Sequence, residues 1–389
     1  MSIVRATTVT TSVDTSLRPK DISNEILKVR PEKKKVLVML TAMGKITVDD
    51  YEFQNNQQGI DPGSVTVQSI VNAGNKTVQL NADDVKAVRV NQTWRLSHAF
   101  AFKVTAVDYD TAVVTLNTVT GLNADGGDII ALGAAAFSEL SARPTNVNRT
   151  PTVGVNYVHT LRDSTAESRH AENVKFFGGP RSFHDRETML YEHGRFIDRE
   201  LLLGEREKTT YGGQVIYRTG GLLYQIQSNI REFDGGRLSY YKAVDLVAAD
   251  TRLSQSDTLW LLCSNKGAAL WTKLVYEKHI PTTVNEVFGI NVTKIQLGSK
   301  FLKLYPVDHL NDSTPLEKTM IVVDPAFVEI VTTQNQTTKQ RQWMLESKVE
   351  GRKTDGTDGN TTEVLTDFGL RLQNEQAHSI WWGVDDVQL

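Results

Sequence analysis

The sequence predicts an α+β fold, because strand-like and helix-like patterns occupy separate parts of the chain. Residues 61–140 are rich in Val, Thr and aromatic residues and are interrupted by Asn, Asp and Gly at short intervals, which is typical of a small antiparallel barrel or sheet. Residues 184–208 carry apolar residues at helical spacing. Beyond residue 281 the apolar period changes to two, which indicates a set of closing strands.

The first 35 residues are predicted to form an N-terminal arm. They carry eight Lys or Arg and four acids, a net charge of +4, whereas the whole chain carries −3. The arm ends in Lys33, Lys34 and Lys35. Such a run could contact a nucleic-acid backbone without reading its sequence, and the alternative is a solvated tail.

The second predicted region, residues 36–140, begins with a short helix or strand and continues into the β-rich stretch. The following polar stretch, residues 141–183, is broken by Pro144, Pro151 and Pro180. Long structureless loops are uncommon inside compact domains. This stretch is therefore predicted to be an extended connection that lies along a neighbouring subunit.

The helix predicted over residues 184–208 would be roughly 35 Å long at ~1.5 Å per residue. Its other faces carry charges of both signs, which can pair within the helix or with another copy of it. The apolar stripe consists of Met189, His193, Phe196, Ile197, Leu201 and Gly204. The charged faces consist of Asp185, Arg186, Glu187, Glu192, Arg195, Asp198, Arg199, Glu200, Glu205, Arg206 and Glu207.

The stretch TTYGGQVIYRTGG (209–221) contains two glycine pairs, Gly212–Gly213 and Gly220–Gly221. A phosphate-binding loop needs the order strand, loop, helix. The order predicted here is helix, glycine pair, strand, glycine pair, so a helix stop, a hairpin-like loop and a second turn are favoured, with phosphate binding as the alternative. Residues 141–236 and 237–389 are predicted as the third and fourth regions, and residues 254–280 as one long helix with Pro281 beyond its end.

Motifs for catalysis or cofactor binding are missing from the sequence. The pair Gly44–Lys45 is followed by Ile46 rather than Ser or Thr, so it is no P-loop, and neither GxSxG nor HExxH occurs. The single cysteine, Cys263, excludes an intrachain disulfide. The stretch KTDGTDGN (353–360) is interpreted as a mobile surface loop rather than a calcium site. A second set is interpreted as surface or packing residues rather than metal ligands: His170, His184, Asp185, Glu192 and His193. No catalytic residue, cofactor, metal or membrane span is predicted.

Several stretches resemble a known family. They are FKVTAVDYDTAVVTLNTVTGLNADGGDIIALG (102–133), FIDRELLLGEREKTTYGGQVIYRTGGLLYQI (196–226), VVDPAFVEIVTT (322–333) and FGLRLQNEQAHSIWWGV (368–384). In their order they resemble the major capsid proteins of tailed bacteriophages, which share the Hong Kong 97-like fold. The resemblance covers most of residues 35–386.

The resemblance implies an N-terminal arm, an extended β-loop with an inserted small barrel, a peripheral domain with a long spine helix, and an axial domain. It also implies a structural protein of the virion, assembled in the host cytoplasm as hexamers and pentamers of an icosahedral shell around double-stranded DNA. Expected partners are a separate scaffold, a portal and decoration proteins. Gly212, Gly213, Gly220 and Gly221 would form an assembly hinge, and Lys33, Lys34 and Lys35 would meet DNA or the scaffold. The rival readings are an encapsulin-like compartment shell and a β-rich enzyme or carbohydrate-binding protein.

Overall fold

The computed structural model of the chain describes residues 34–58, 63–72, 76–98, 101–117, 126–139, 151–174, 181–233, 236–278, 282–287, 290–351 and 358–388. They belong to two compact units, one made of Met1–Asn55 with Val155–Leu389 and the other of Asn56–Gly154. The predicted boundaries at residues 35, 140 and 236 stay predictions.

The helical elements of the described residues are α-helices and short 3₁₀ turns. The α-helices are α1 (Lys35–Met43), α2 (Arg169–Glu172), α3 (Arg181–Leu203), α4 (Leu222–Gln225), α5 (Tyr240–Asp250), α6 (Asn265–Lys278) and α7 (Thr314–Glu317). The 3₁₀ turns are Val85–Ala87, Asp308–Asn311, Pro325–Phe327 and Glu375–Ala377.

The strands of the first part of the chain are β1 (Lys45–Val48), β2 (Glu52–Gln57), β3 (Ser64–Asn72), β4 (Thr77–Leu80), β5 (Gln92–Arg95), β6 (Ala101–Asp108), β7 (Val113–Asn117), β8 (Ile129–Ala135), β9 (Thr152–Tyr157), β10 (His159–Ser168), β11 (Glu207–Tyr211) and β12 (Gln214–Arg218). Those of the second part are β13 (Ile230–Glu232), β14 (Arg237–Ser239), β15 (Thr258–Cys263), β16 (Thr282–Val287), β17 (Ile290–Leu297), β18 (Lys300–Pro306), β19 (Met320–Val323), β20 (Val328–Thr333), β21 (Leu345–Glu350), β22 (Gly359–Leu372), β23 (Ser379–Trp382) and β24 (Asp386–Gln388).

The smaller unit contains a closed barrel in the order β3-β4-β7-β6-β5-β8. Alternate residues of its strands point inward, so that Phe102 and Val104 of β6 are buried while Lys103 between them is exposed. Trp94 of β5 is fully buried in the same core. Because the barrel is closed, no edge strand is left unpaired. The small barrel predicted from the strand-rich stretch with its regular turn residues is confirmed.

A five-stranded sheet of the larger unit has the order β1-β20-β22-β10, with β21 also paired to β22. The long strand β10 pairs antiparallel with β22 from His159 opposite Phe368 to Ser168 opposite Gly359. Strands β9 and β10 of the predicted extended connection are extended, and β10 has a strand partner in the same chain, whereas Arg169–Glu172 forms the short helix α2. Contact of the connection with a neighbouring subunit stays a prediction. Residues 141–150 and 175–180 of that connection lie outside the described residues.

A seven-stranded sheet has the order β13-β23-β19-β15-β18-β17-β16. Its central strand β15 is buried on both faces: Leu259 and Leu261 pack with α5 and α6 on one side, whereas Trp260 and Leu262 pack on the other side with the cluster that contains α1 and α3. The prediction of one helix over 254–280 is wrong here, because its first half is this strand and only Asn265–Lys278 is helical. A continuous apolar run does not distinguish a doubly buried strand from a buried helix.

Helix α3 begins at Arg181, three residues before the predicted start, and ends at Leu203, five residues before the predicted end. His193, predicted as a surface or packing histidine, is fully buried where α3 packs on the sheet. Its Nδ1 lies 2.6 Å from Asp163 Oδ2 of β10, and its Nε2 lies 2.7 Å from Thr366 Oγ1 of β22. These bonds hold the middle of α3 on the five-stranded sheet.

Two further buried groups have strongly shifted pKa values. Burial raises the pKa of the Cys263 thiol at the end of β15 to about 12. Burial also lowers the pKa of His378 to about 4. The neutral His378 ring accepts a hydrogen bond from the Asp324 backbone N–H at 3.2 Å and faces the Gln373 carbonyl with its other nitrogen, also at 3.2 Å.

The depressed pKa of His378 predicts an acid-sensitive contribution to stability. The residue titrates near 6.5 when unfolded and near 4 when folded, so its contribution is complete above pH 6.5 and is lost as the pH falls toward 4. The loss should amount to ~3 kcal/mol of unfolding free energy. Urea unfolding between pH 7 and pH 4 measures it. His378→Gln should flatten the profile, the exposed control His170→Gln should not, and an unchanged His378→Gln profile would contradict the prediction.

Candidate assembly site

The end of α3 is locked to the returning chain by two glycines. The backbone N–H of Gly221 donates to the carbonyl of Gly204 at 2.8 Å. A Cβ on Gly204 would lie 2.5 Å from the Glu200 carbonyl oxygen and 2.7 Å from that of Thr219, and a Cβ on Gly221 would lie 2.8 Å from the Glu200 oxygen. Side chains other than hydrogen therefore do not fit at this junction without moving the backbone.

Asn156 of β9, which is almost completely buried, fixes the same junction from the other side. Its side-chain oxygen accepts from the backbone N–H of Gly220 at 2.8 Å. Its side-chain nitrogen donates to the carbonyls of Gly220 at 3.1 Å and Leu370 at 2.7 Å. The base of the segment 205–220 is thus attached to α3, β9 and β22.

Strands β11 and β12 form an antiparallel hairpin within this segment, with Tyr211 opposite Gln214. Gly212 and Gly213 are the two turn residues, and their φ angles are +58° and +80°. Positive φ at both central positions is the signature of a type I′ turn, which matches the twist of a hairpin. No atom lies within 4 Å of a Cβ built on either residue, so backbone conformation rather than space requires glycine here.

One face of the hairpin packs against other residues of the larger unit. The ring of Tyr217 stacks on that of Tyr51, with centroids 6.0 Å apart, and is tilted against Tyr157 at 5.4 Å. Lys208 Nζ lies 5.2 Å from the centroid of Tyr217 and 3.7 Å from Glu52 Oε2. These contacts fix the base of the hairpin while its turn extends beyond them.

The far end of the hairpin exposes three large apolar side chains, and we name them the hairpin tip: Tyr211, Val215 and Ile216. Their exposed fractions are 79%, 49% and 41%. A two-stranded ribbon alone is marginally stable in water, and large apolar side chains are exposed on both faces of this one, since successive strand residues point to opposite faces. The hairpin tip therefore fits a contact with another protein surface.

The four predicted hinge glycines fall into two classes. The prediction that the long helix stops at Gly212–Gly213 is wrong, because α3 ends at Leu203 and a strand of five residues precedes this pair. The reason is the contact of Gly204 with the returning chain, which diverts residues 205–208 out of the helix. Gly220 and Gly221 form the locked base and Gly212 and Gly213 the turn; a role of the four in assembly stays a prediction.

Two residues of the predicted lysine run, Lys34 and Lys35, lie at the start of α1. Lys33 is outside the described residues. Lys34 lies across Gly194 of α3, with its Nζ 5.1 Å from the centroid of the Tyr191 ring. Lys35 Nζ lies 3.6 Å from Asp308 Oδ1. Lys34 and Lys35 thus make contacts within the chain. Contact of the three lysines with DNA or a scaffold stays a prediction.

The contact between α1 and α3 depends on a buried carboxylate that was predicted to lie on a charged face of the long helix. Asp198 of α3 is 1% exposed. Its Oδ1 accepts from the backbone N–H of Leu37 at 2.5 Å, and its Oδ2 lies 3.2 Å from Nε2 of His309. Because the first N–H groups of a helix have no intrahelical partner, Asp198 caps α1 from another helix. Its neighbour Ile197 in the apolar stripe was the only signal of burial in the sequence.

The described residues were also compared with the requirements of a metal site and of a membrane-spanning helix. Among them no group of three His, Cys, Asp or Glu side chains is arranged to hold a metal ion. In the same part of the chain no helix is long and apolar enough to cross a membrane.

Comparisons with solved structures give distant likenesses. A structure from Mycobacterium phage Ogopogo is 10% identical, with 97% of this chain and 99% of that chain covered and a TM-score of 0.49. The capsid of Cyanophage P-SCSP1u is 6% identical, with 94% and 93% covered and a TM-score of 0.49. The SrpI encapsulin of Synechococcus elongatus PCC 7942 is 10% identical, with 61% and 78% covered and a TM-score of 0.44. Curated proteins give no match.

The family comparison carries the identification, because it spans nearly the whole chain. The family model described as SU10 major capsid protein matches residues 5–385. It confirms the predictions of a phage major capsid protein, of a structural rather than enzymatic role, and of a place in the virion capsid. The chain belongs to the SU10 major capsid protein family and forms the shell of a phage head.

Proposed function

We propose that the chain assembles as hexamers and pentamers that close into an icosahedral shell around double-stranded DNA, with a Hong Kong 97-like arrangement of its parts. The family match over residues 5–385 is the observation that carries this proposal. The parts are the arm at 1–35, the β-loop with its barrel at 36–140, the peripheral domain at 141–236 and the axial domain at 237–389. A scaffold, a portal and decoration proteins are the proposed partners.

The hairpin tip is the proposed contact between neighbouring copies within the shell. The base of the hairpin is fixed by the contacts of Tyr217 with Tyr51 and Tyr157, so the course of its backbone is set before a neighbour arrives. A pre-organised backbone loses less conformational entropy on binding. Permanent assemblies also bury large surfaces, so the hairpin tip is one contact among several.

Size and shape test the proposed assembly directly. The chain, expressed alone and together with its scaffold, should elute as capsomers or shells, and negative-stain microscopy should show them. A 43.4 kDa species under all conditions would contradict the proposal. If purified native particles contained cargo enzymes rather than DNA, an encapsulin-like compartment shell would be favoured instead.

Replacing Gly212 and Gly213 together by valine is expected to reduce the yield of shells much more than the yield of soluble protein. A non-glycine residue at positive φ costs ~1–2 kcal/mol at each position, so the turn should open and the hairpin tip lose its geometry. The core is untouched because no atom lies within 4 Å of either Cβ position. Shell counts by microscopy, compared with thermal melting, measure the effect.

The matched control is Gly212→Asn, which creates the Asn-Gly pair that favours this turn. It should give shells at the yield of the unmodified chain. Normal shells from the double-valine variant would show that the turn has no part in assembly.

A further inference from the structure

The segment between β20 and β21 forms a second exposed hairpin, and we name it the basic hairpin: residues 334–344, with the sequence QNQTTKQRQWM. It contains Lys339 and Arg341, five Asn or Gln side chains and no acid. Residues 335–341 are all exposed. The segment thus presents cations and amide donors to its surroundings over a continuous stretch of chain.

Hydrogen bonds within the basic hairpin hold its shape. Asn335 donates from its backbone N–H to the Gln340 carbonyl at 2.8 Å, and its own carbonyl accepts from the backbone N–H of Lys339 at 2.8 Å. Its side-chain oxygen accepts from the backbone N–H groups of Thr337 and Thr338 at 2.9 and 3.0 Å. Lys339 is held at a φ of +57°, which is uncommon for a residue with a side chain. The cations are therefore displayed on a preformed loop.

Lys45 of β1 adds a third cation beside this loop. Its Nζ lies 4.0 Å from the centroid of the Trp343 ring. Burial, and then the positive charge of Arg341, lower the pKa of Lys45. Two cations are thus held near each other, and within the described residues no carboxylate forms an ion pair with Arg341. An anion placed between them would relieve this repulsion.

One carboxylate, that of Asp49, is bound to the basic hairpin through an amide side chain. Asp49 Oδ1 accepts from the side-chain amide of Gln336 at 2.8 Å. Lys339 Nζ lies 3.1 Å from the Gln336 side-chain oxygen. The amide of Gln336 therefore stands between this carboxylate and the lysine, and the charge of the lysine stays available.

We propose that Lys45, Lys339 and Arg341, together with the amide side chains of the basic hairpin, contact the phosphates of double-stranded DNA. Phosphate oxygens accept hydrogen bonds from Arg, Lys, Asn, Gln and Thr alike, and all five residue types line this surface. A DNA backbone offers many phosphates in a row, which suits several donors spread along one loop better than a single carboxylate does. The contact reads no base sequence. It rests on the proposed shell around DNA.

Salt dependence of DNA binding by purified capsomers tests the contact. Fluorescence anisotropy of a labelled duplex of random sequence gives Kd at several salt concentrations. Each lost phosphate contact should reduce the slope of log Kd against log salt concentration by ~0.9. Arg341→Gln and Lys339→Gln should each lower the slope by about this amount, and the double variant by about twice as much.

Lys348→Gln is the matched control. Lys348 is an exposed lysine on β21 outside the basic hairpin, so its loss changes the net charge equally and should leave the slope nearly unchanged. Equal slopes for Arg341→Gln and Lys348→Gln would overturn the inference. So would a fall in shell yield for Arg341→Gln with unaltered DNA binding, since that result indicates carboxylates of a neighbouring copy. Failure of the proposed shell itself is seen separately, as the absence of capsomers from the unmodified chain.

Discussion

Replacing Gly221 by alanine is expected to lower the free energy of unfolding by about 3 kcal/mol, near the upper end for an overpacked site. The added Cβ would lie 2.8 Å from the Glu200 carbonyl oxygen, 2.8 Å from the Gly204 nitrogen and 2.9 Å from the Leu202 carbonyl carbon. All three are backbone atoms of the helix end, so relief requires the chain to separate from α3. The φ of Gly221 is −79°, which alanine adopts freely, so the cost is steric. Urea unfolding measures it.

Gly212→Ala provides the comparison, because at this position there is space for a Cβ but the backbone φ is unfavourable for alanine. Its Cβ would meet no atom within 4 Å, but its φ is +58°. The expected cost is ~1 kcal/mol, confined to the turn, and Gly212→Asn should restore stability. A Gly221→Ala variant as stable as the unmodified chain would refute the locked base.

Replacing Asp198 by alanine is expected to destabilise the chain by about 4 kcal/mol, as is common when one member of a buried polar pair is removed. The variant leaves the Leu37 backbone N–H without its acceptor and the Nε2 atom of His309 without its carboxylate partner. Helix α1 should consequently detach from α3 before the rest of the larger unit unfolds. Hydrogen exchange at the Leu37 amide should accelerate, and urea unfolding gives the total loss.

The control for this variant is Asp312→Ala. Asp312 Oδ2 lies 3.7 Å from the other ring nitrogen of His309, but its side chain is partly exposed. Exposed ion pairs contribute little, ~0–1 kcal/mol, so this variant should keep α1 protected. Equal losses for the two variants would contradict the capping role of Asp198.

The elements predicted correctly from the sequence are those that bury only one face, because their apolar residues then recur at the spacing of a strand or a helix. The first half of strand β6 alternates, with Phe102 and Val104 inward, and α3 repeats its apolar residues at helical spacing. By contrast, the run TLWLLC of β15 has apolar residues on both sides because helices cover both faces of its sheet. Such a run carries no period, so neighbouring chain segments, rather than local sequence, decide between strand and helix.

The candidate site was predictable in composition but not in geometry. Glycine pairs in TTYGGQVIYRTGG indicated turns, yet nothing local distinguishes Gly212, which needs positive φ, from Gly221, which needs space. The difference arises from Gly204 and Glu200, which reach Gly221 only in the folded chain. Asp198 was missed for the same reason, since its partners Leu37 and His309 lie more than one hundred residues away along the sequence on either side.

Cys263 has a practical consequence for work on the assembled particle. As the sole cysteine, fully buried and with its thiol protonated at neutral pH, it is unreactive toward reagents that need an exposed thiolate. A cysteine introduced at the exposed position Lys348 would then be the single reactive thiol on each copy. Fluorophores, spin labels or bifunctional cross-linkers could be attached there without first removing the native thiol, and the distance between copies could be read directly from the labelled shell.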